Sequence, residues 1–175
     1  SNSIIMAGAT PVFVDVNKDD FQINLTKADY LISKKTKAIM PVHVYGNSAN
    51  MKQVKKFAKK YNLKIIEDAA QAFGARYLQK PAGAFGKASC FSMNPMKVFN
   101  GYGESGAILT DDQEVRDRLT ILRYAGTVNR EECLTPSLNG RLDTLQAAML
   151  LVNLKYLDQK IERRRAIAAQ YTQVL

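Results

Sequence analysis

The sequence has few of the residues on which several classes of site depend. It contains no tryptophan, one histidine and two cysteines among 175 residues. Cys90 and Cys133 lie far apart and outside any metal or redox spacing, which is typical of a reducing compartment rather than of a disulfide-rich secreted domain. No cysteines or carboxylates lie at metal-ligand spacing around His43. We therefore expect a cytoplasmic protein without a metal site.

Long hydrophobic runs are also missing. No segment reaches the roughly 18 apolar residues of a membrane span, and residues 1–14 lack the pattern of a signal peptide. The chain has 25 Lys and Arg against 16 Asp and Glu, a net charge of +9. Because the lysines are spread over predicted helix faces without interleaved aromatic residues, a basic nucleic-acid-binding domain is only an alternative. We expect neither a nucleic-acid nor a membrane partner.

Short apolar runs alternate with helical patterns in the first half of the chain. Pro11–Val16, Ala38–Val44 and Leu63–Glu67 are typical of buried strands. Asn50 is a suitable N-cap for a helix that has apolar residues on one face and lysines on the other. This alternation of strands and helices predicts an α/β domain with a mostly parallel sheet.

The second half of the chain continues this pattern. Ala88–Phe91 and Ala107–Thr110 are predicted strands, and Asp111–Asp112 are predicted to cap a helix that ends near Arg123. From about Arg141 onward the residues are mostly strong helix formers, enough for two helices or for one kinked helix.

Asp68 comes directly after the apolar strand Leu63–Glu67. In parallel sheets, ligands bind outside the carboxyl ends of the strands. A partly buried carboxylate at this position needs a positive or hydrogen-bonding partner, and the protonated ring nitrogen of a pyridine cofactor would serve. The alternative is that Asp68 caps the following helix.

A hydroxyl and an amine follow the next predicted strand. Ser92 stands at the strand end, and Lys97 comes five positions later. Ser92 could donate a hydrogen bond to a phosphate, while Lys97 could form a Schiff base with an aldehyde cofactor. Taken alone, Lys97 could equally be an ordinary surface lysine.

Six motifs in a fixed order resemble those of one enzyme family. They are Gly8–Asp15, Thr36–Ile39 leading to Pro41–Gly46, Glu67–Ala72, Phe91–Lys97, Gly103–Ala107 and Arg141–Ala148. With them the chain resembles the fold-type I aminotransferases that use pyridoxal 5'-phosphate (PLP) and act on nucleotide-linked keto sugars, the DegT/DnrJ family. The resemblance implies the large domain of these enzymes, a mostly parallel sheet with helices on both faces, truncated at both ends.

The resemblance also implies a role for each matching residue. Lys97 would attach PLP covalently and move protons between the carbons of substrate and cofactor, and Asp68 would face the pyridine nitrogen. Gln71 would bind near the ring hydroxyl, Ala70 would pack on a ring face, and Ser92 would bind the phosphate.

Three further positions match the family pattern. Asn139 corresponds to an asparagine that reaches the phosphate of the neighbouring subunit, which implies a homodimer, although a helix-capping role is an alternative. His43 belongs to the Pro-Val-His signature, and a structural role is favoured over a catalytic one. Glu104 matches an acidic position that we expect to shape the loop after Lys97.

The implied reaction is transamination. Glutamate would donate an amino group that PLP passes to the ketone of a nucleotide-linked sugar, in cell-surface or secondary-metabolite amino-sugar biosynthesis. Relatives that catalyse dehydration have histidine at the position of Lys97, so transamination is favoured. The family implies that residues 1–156 form the PLP-binding large domain without its N-terminal segment, and that residues 157–175 lead toward a C-terminal domain. A non-catalytic remnant that only folds or dimerises is the alternative.

Overall fold

The computed structural model describes residues 1–175 and contains six helices and eight short strands. The helices are α1 (Asn2–Met6), α2 (Leu25–Asp29), α3 (Met51–Lys60), α4 (Gln113–Arg123), α5 (Thr144–Lys155) and α6 (Leu157–Val174). The strands are β1 (Ala38–Ile39), β2 (Lys64–Asp68), β3 (Arg76–Tyr77), β4 (Lys80–Pro81), β5 (Ala88–Ser92), β6 (Gly106–Leu109), β7 (Thr127–Val128) and β8 (Glu132–Cys133). None of the helices combines the length and the hydrophobicity that crossing a bilayer requires.

Four strands form the central sheet, in the order β1-β2-β5-β6. The pairings of β1 with β2 and of β2 with β5 are parallel, and β6 is antiparallel to β5 at one edge. The other four strands form two separate antiparallel pairs, β3 with β4 and β7 with β8. The predicted α/β class with a mostly parallel sheet is therefore confirmed.

The two faces of the central sheet differ in burial. In β2, Ile65 and Glu67 are buried on one face, whereas Asp68 on the opposite face is half-buried. β5 alternates in the same way, and its register with β2 places Ser92 on the face of Asp68. The more open face thus carries both strand-end residues that were predicted to bind a cofactor.

Three clusters of buried apolar side chains hold the elements together. The largest lies between α2, α3 and the sheet and consists of Ala28, Ile39, Ala49, Met51, Val54, Phe57, Ala58, Leu63 and Ile65. A second cluster consists of Ala69, Ala72, Ala82 and Phe91. The third joins the end of β5 to α5 and α6 and consists of Met93, Phe99, Leu150 and Leu157.

Two predicted helix starts are confirmed by their capping bonds. The Oδ1 atom of Asn50 accepts a hydrogen bond from the backbone N–H of Gln53 at 3.1 Å, at the start of α3. The Oδ1 atom of Asp112 accepts one from the N–H of Val115 at 2.9 Å, at the start of α4. In both cases a side chain satisfies an N–H group that has no partner within the helix.

The prediction of a strand at Pro11–Val16 is wrong. Within this run only Val16 pairs, in an isolated bridge to Ile23, and the side chain of Phe13 is 75% exposed. A strand needs the backbone of a neighbour as well as suitable side chains, and the central sheet offers this segment none. The run Ala38–Val44 forms a strand only over Ala38–Ile39, and Val42 adds an isolated parallel bridge to Asp68.

The helical end of the chain is two helices, separated at Tyr156. This break coincides with the predicted boundary between residues 156 and 157. Leu157 is nevertheless buried with Met93 and Phe99, and Ile161 packs against the same cluster, so the first half of α6 lies on the body of the domain. The division into a large domain and a helix leading away from it stays a prediction.

Candidate active site

An open cavity of about 670 Å³ lies beyond the carboxyl ends of β2 and β5. It is lined by Tyr45, Gln71, Ser92, Asn94, Met96, Lys97, Val98, Glu104 and Arg164. Three of the predicted site residues are therefore brought together, Gln71 from the loop after β2, and Ser92 and Lys97 from the end of β5 and the turn after it. This is the edge of a parallel sheet at which ligands are expected to bind.

Lys97 lies in a tight turn after β5. Its backbone N–H donates to the carbonyl oxygen of Asn94 at 2.9 Å, and the Oδ1 atom of Asn94 accepts from the N–H of Met96 at 2.9 Å. The Lys97 side chain is half-buried, and its Nζ atom makes neither a hydrogen bond nor an ion pair. The turn thus presents a free amine to the cavity.

The loop after Lys97 is held against α5 by two amide side chains. The N–H of Tyr102 donates to Oε1 of Gln146 at 2.8 Å, and Nδ2 of Asn153 donates to the carbonyl oxygen of Asn100 at 2.8 Å. A Cβ atom on Gly101 would lie 2.8 Å from Oε1 of Gln146, so a larger residue there would displace the Gln146 amide from the N–H of Tyr102. The position of the Lys97 loop is therefore set by α5.

Glu104 and Arg164 complete the polar lining of the cavity. The Oε1 atom of Glu104 accepts from Nδ2 of Asn94 at 2.7 Å across the base of the loop, which agrees with the predicted role in loop geometry. Arg164 reaches the cavity from α6. The sequence analysis missed Arg164, because it lies far from Lys97 along the chain and in a helix that resembles an ordinary solvated one.

Asp68 does not cap a helix, the alternative that the sequence left open, because the element that follows β2 is the strand β3; its role toward a cofactor stays a prediction. Its Oδ1 atom accepts from the backbone N–H of Ala70 at 3.1 Å, so the carboxylate caps the turn after β2. It does not line the cavity, but it lies on the same sheet face as Ser92. The register of β2 and β5 pairs Asp68 with Cys90, and desolvation, followed by the charge of Asp68, raises the pKa of the Cys90 thiol.

Gln71 is oriented by a residue that the sequence analysis did not select. Its Oε1 atom accepts from the backbone N–H of Tyr45 at 2.7 Å, which leaves the side-chain NH₂ group without a partner in the chain. Tyr45 itself has a positive φ of 56°, an unusual backbone conformation for a large residue. Its ring is 82% exposed at the cavity. Gln71 is thus held ready to donate to a ligand.

His43 has the structural role that was favoured from the sequence. The side chains of His43 and Glu67 are completely buried. The Nδ1 atom of His43 accepts from the N–H of Ala49 at 3.1 Å, so Nε2 carries the proton and donates to Oε2 of Glu67 at 2.9 Å. Both ring nitrogens are therefore satisfied by a neutral imidazole.

Glu67 is the centre of this buried network. Its carboxylate also accepts backbone N–H bonds from Gly83 at 2.8 Å, Phe85 at 2.7 Å and Gly86 at 2.6 Å. Burial alone would raise the pKa of Glu67, but the hydrogen bonds from His43 and these three N–H groups outweigh it and hold the pKa below its ordinary value. The network ties β2 to the loop before β5.

The lowered pKa of Glu67 predicts a loss of stability in acid. A carboxylate whose pKa is depressed by folding contributes stability above its unfolded pKa, 4.5, and loses it as the pH falls through the folded value. The difference in unfolding free energy between the wild type and a Glu67→Gln variant should thus be constant above about pH 5 and shrink below pH 4.5. Urea titrations at several pH values measure it, and a difference that stays constant down to pH 3 would contradict the prediction.

Asn139 is not brought to the cavity of its own chain. It lies in a segment whose backbone bridges to Tyr124, and its Oδ1 atom accepts from Nε of Arg141 at 2.9 Å. It caps no helix, since the residue before α5 is Asp143. The guanidinium groups of Arg123, Arg130 and Arg141 surround the Tyr124 ring at 5.2–5.6 Å from its centre. An action of Asn139 in a neighbouring subunit stays a prediction.

The side chains around the cavity fit PLP by their chemistry. The free amine of Lys97 suits an aldehyde carbon, and the hydroxyl of Ser92 and the unsatisfied NH₂ of Gln71 suit phosphate and ring oxygens. The carboxylate of Asp68, at the same edge of the sheet, suits a protonated ring nitrogen.

Comparison with known families agrees with this chemistry. The sequence model of the DegT/DnrJ/EryC1/StrS aminotransferase family matches residues 1–175. The chain belongs to this family. Its fold is thus that of a PLP-dependent aminotransferase, and the predicted cofactor is confirmed at the level of the family.

Individual relatives are similar over part of their own length. A dTDP-3-amino-3,6-dideoxy-α-D-galactopyranose transaminase from Aneurinibacillus thermoaerophilus is 47% identical over 164 residues, which is 94% of this chain and 45% of the relative. The crystal structure of DesV from S. venezuelae, in complex with a ketimine intermediate, has a TM-score of 0.94 and 38% identity to this chain. The match covers 98% of this chain and 46% of the DesV chain. The chain spans about half the length of the curated relatives it matches.

A third comparison includes a bound cofactor. The structure of NtdA from Bacillus subtilis, solved with the cofactor PMP, has a TM-score of 0.82 and 35% identity to this chain. The match covers 89% of this chain and 36% of the NtdA chain. PMP is the aminated form of PLP, the form that a transaminase produces when it accepts an amino group.

Proposed function

We propose that the protein transfers an amino group to the keto carbon of a nucleotide-linked sugar, with PLP as cofactor and glutamate as amino donor. The observation that carries this proposal is the cavity that the unpaired Nζ atom of Lys97 lines together with Ser92 and Gln71. This cavity lies beyond the carboxyl end of β2, the strand that ends at Asp68. Membership of an aminotransferase family supplies the reaction class, and the dTDP-sugar transaminase among the relatives supports the substrate class.

Each proposed role follows from the position of the side chain. When bound, PLP supplies an aldehyde that takes up an amino group and a ring that accepts electrons from the reacting carbon. The Asp68 carboxylate would hold the proton on the ring nitrogen, while Ser92 would donate to the phosphate and Gln71 to the ring hydroxyl oxygen. Ala70, which follows Asp68 in the same turn, would pack on the ring.

Lys97 would act twice in the proposed reaction. Its Nζ atom would first bind the aldehyde carbon and so hold the cofactor. Once an amino donor displaces it, the freed amine would take a proton from the α-carbon of the donor and return it to the former aldehyde carbon. The lack of an ion pair at Nζ supports this role, because an amine held by a carboxylate could do neither.

A homodimer is part of the proposal. Asn139 and the three arginines around Tyr124 are exposed and lie outside the cavity of their own chain. In a dimer, this segment would serve the cofactor phosphate of the neighbouring subunit.

Trapping of the cofactor tests the proposal directly. The purified protein is mixed with PLP and reduced with borohydride, and its peptides are analysed by mass spectrometry. We expect one dominant adduct, on Lys97, and a change from the aldehyde to the amine absorption of the cofactor when glutamate is added before reduction. Lys56→Ala, on the exposed face of α3, is the matched control and should trap as the wild type does. Adducts scattered over surface lysines would refute the assignment.

A further inference from the structure

A second cavity, of about 660 Å³, lies between the Lys97 turn and α6. Its lining includes Lys97 and Asn100 from the turn and the loop after it, and Lys160, Arg163, Arg164 and Ile167 from α6. It shares Met96, Lys97, Val98 and Arg164 with the first cavity. We call this second cavity the cationic groove, because four of its residues are Lys or Arg and none is acidic.

The cations of α6 are placed in the groove by the packing of the helix. Lys160, Arg163 and Arg164 recur at the three- and four-residue spacing that puts side chains on one helix face. The adjoining stripe begins with Leu157, which is 7% exposed, and continues with Ile161. A Cβ atom on Gly74 would lie 2.4 Å from Cδ1 of Ile161, so the loop after β2 packs on α6 without spare room. The helix therefore cannot turn its charged face away without losing this contact.

These cations have no acidic partner in the chain. Lys160 is half-buried, and its ammonium donates only to the neutral Oδ1 of Asn153, at 3.1 Å. Arg163 and Arg164 form no salt bridge, whereas the next residue, Arg165, pairs with Glu162 at 2.6 Å. Like charges at this spacing repel one another, and a bound anion would relieve the repulsion.

The shape and charge of the groove select the kind of anion. Guanidinium groups bind phosphate oxygens through two parallel N–H donors, and two adjacent arginines with a lysine match a ligand that carries two linked phosphates. Because Lys97 and Arg164 line both the groove and the first cavity, one ligand could place its reacting carbon at the amine and its phosphates on α6.

We propose that the cationic groove binds the diphosphate of the nucleotide-linked substrate, through Arg163 and Arg164 with Lys160 as the third cation. This inference rests on the proposed function for the identity of the substrate. It adds the residues that hold the phosphates and orients the bound substrate, with its phosphates on α6 and its reacting carbon at Lys97.

Calorimetric titration of the full chain with UDP and dTDP tests the groove. We expect the double variant Arg163→Gln/Arg164→Gln to bind both at least about ten-fold more weakly than the wild type, with a smaller dependence on salt. Arg165→Gln on the same helix is the matched control and should bind with wild-type affinity, because Arg165 does not line the groove. Circular dichroism and the melting temperature of both variants establish that the fold is kept.

The outcomes separate this inference from the proposed function. Equal affinity of the wild type and the double variant for UDP and dTDP would overturn it, as would an effect confined to binding of glutamate or 2-oxoglutarate. Trapping of PLP on Lys97 without measurable UDP or dTDP binding would overturn the proposal that the cationic groove binds a diphosphate, but it would not contradict the proposed function. Arginine-dependent UDP or dTDP binding without trapping on Lys97 would support the groove and count against the proposed function.

Discussion

Lys97→Ala is expected to abolish the trapping of PLP by borohydride and to reduce amino-group transfer at least about a thousandfold. The variant removes the one amine that the turn after β5 presents to the cavity. The three other nitrogen-bearing side chains of the lining, those of Gln71, Asn94 and Arg164, can neither bind an aldehyde nor move a proton at neutral pH. Single-turnover absorption of the PLP-loaded protein with glutamate measures the loss.

Two controls show whether the missing amine is the cause. Addition of a small primary amine such as methylamine should restore part of the proton transfer in Lys97→Ala, because the space that the side chain leaves is open to the cavity. Lys56→Ala should transfer amino groups at the wild-type rate. Wild-type turnover in Lys97→Ala would exclude the proposed role of this residue.

Glu67→Gln is expected to lower the unfolding free energy at pH 7 by about 3 kcal/mol or more. The carboxylate accepts four hydrogen bonds, from His43 and from three backbone N–H groups, and both of its oxygens are used. An amide would turn an NH₂ group toward donors that approach within 3 Å, and it leaves at least one of them buried without an acceptor.

Urea unfolding followed by circular dichroism measures this loss. With an m-value of about 2 kcal/mol/M, the midpoint should fall by roughly 1.5 M. Glu132→Gln, at an exposed position of β8, is the matched control and should change the midpoint little. An unchanged midpoint in Glu67→Gln would mean that the network contributes nothing to stability.

The sequence was sufficient for the features that depend on local pattern. The helix after Asn50 followed from one capping residue and a regular apolar stripe, and both are present in α3. Ser92 and Lys97 were found because they lie at and just after the end of a strand, where parallel sheets bind ligands, whereas Gln71 was expected only from the resemblance to the family. The family motifs then supplied the role of each residue, which spacing alone could not.

Features that depend on contacts between distant segments were beyond such reasoning. Arg164 enters the cavity only because Leu157 and Ile161 fix the rotation of α6, and nothing in the sequence of this helix distinguishes the groove face. Glu67 was treated as the end of a strand. Its alternation with Ile65 was the signal that it points into the core, but its four donors come from separate loops. Pro11–Val16 had the composition of a strand and no strand to pair with.

The two edges of the central sheet differ in their openness to a further strand. At one edge, β1 has only two residues, and Pro41, which lacks a backbone N–H donor, follows within two positions. At the other edge, β6 runs for four residues, and its Ile108 and Leu109 are 50% and 54% exposed. Short strands and prolines protect sheet edges, whereas exposed apolar edge strands invite pairing between chains. We therefore expect self-association at high protein concentration to occur through β6. Substitution of Ile108 by a charged residue should reduce this self-association.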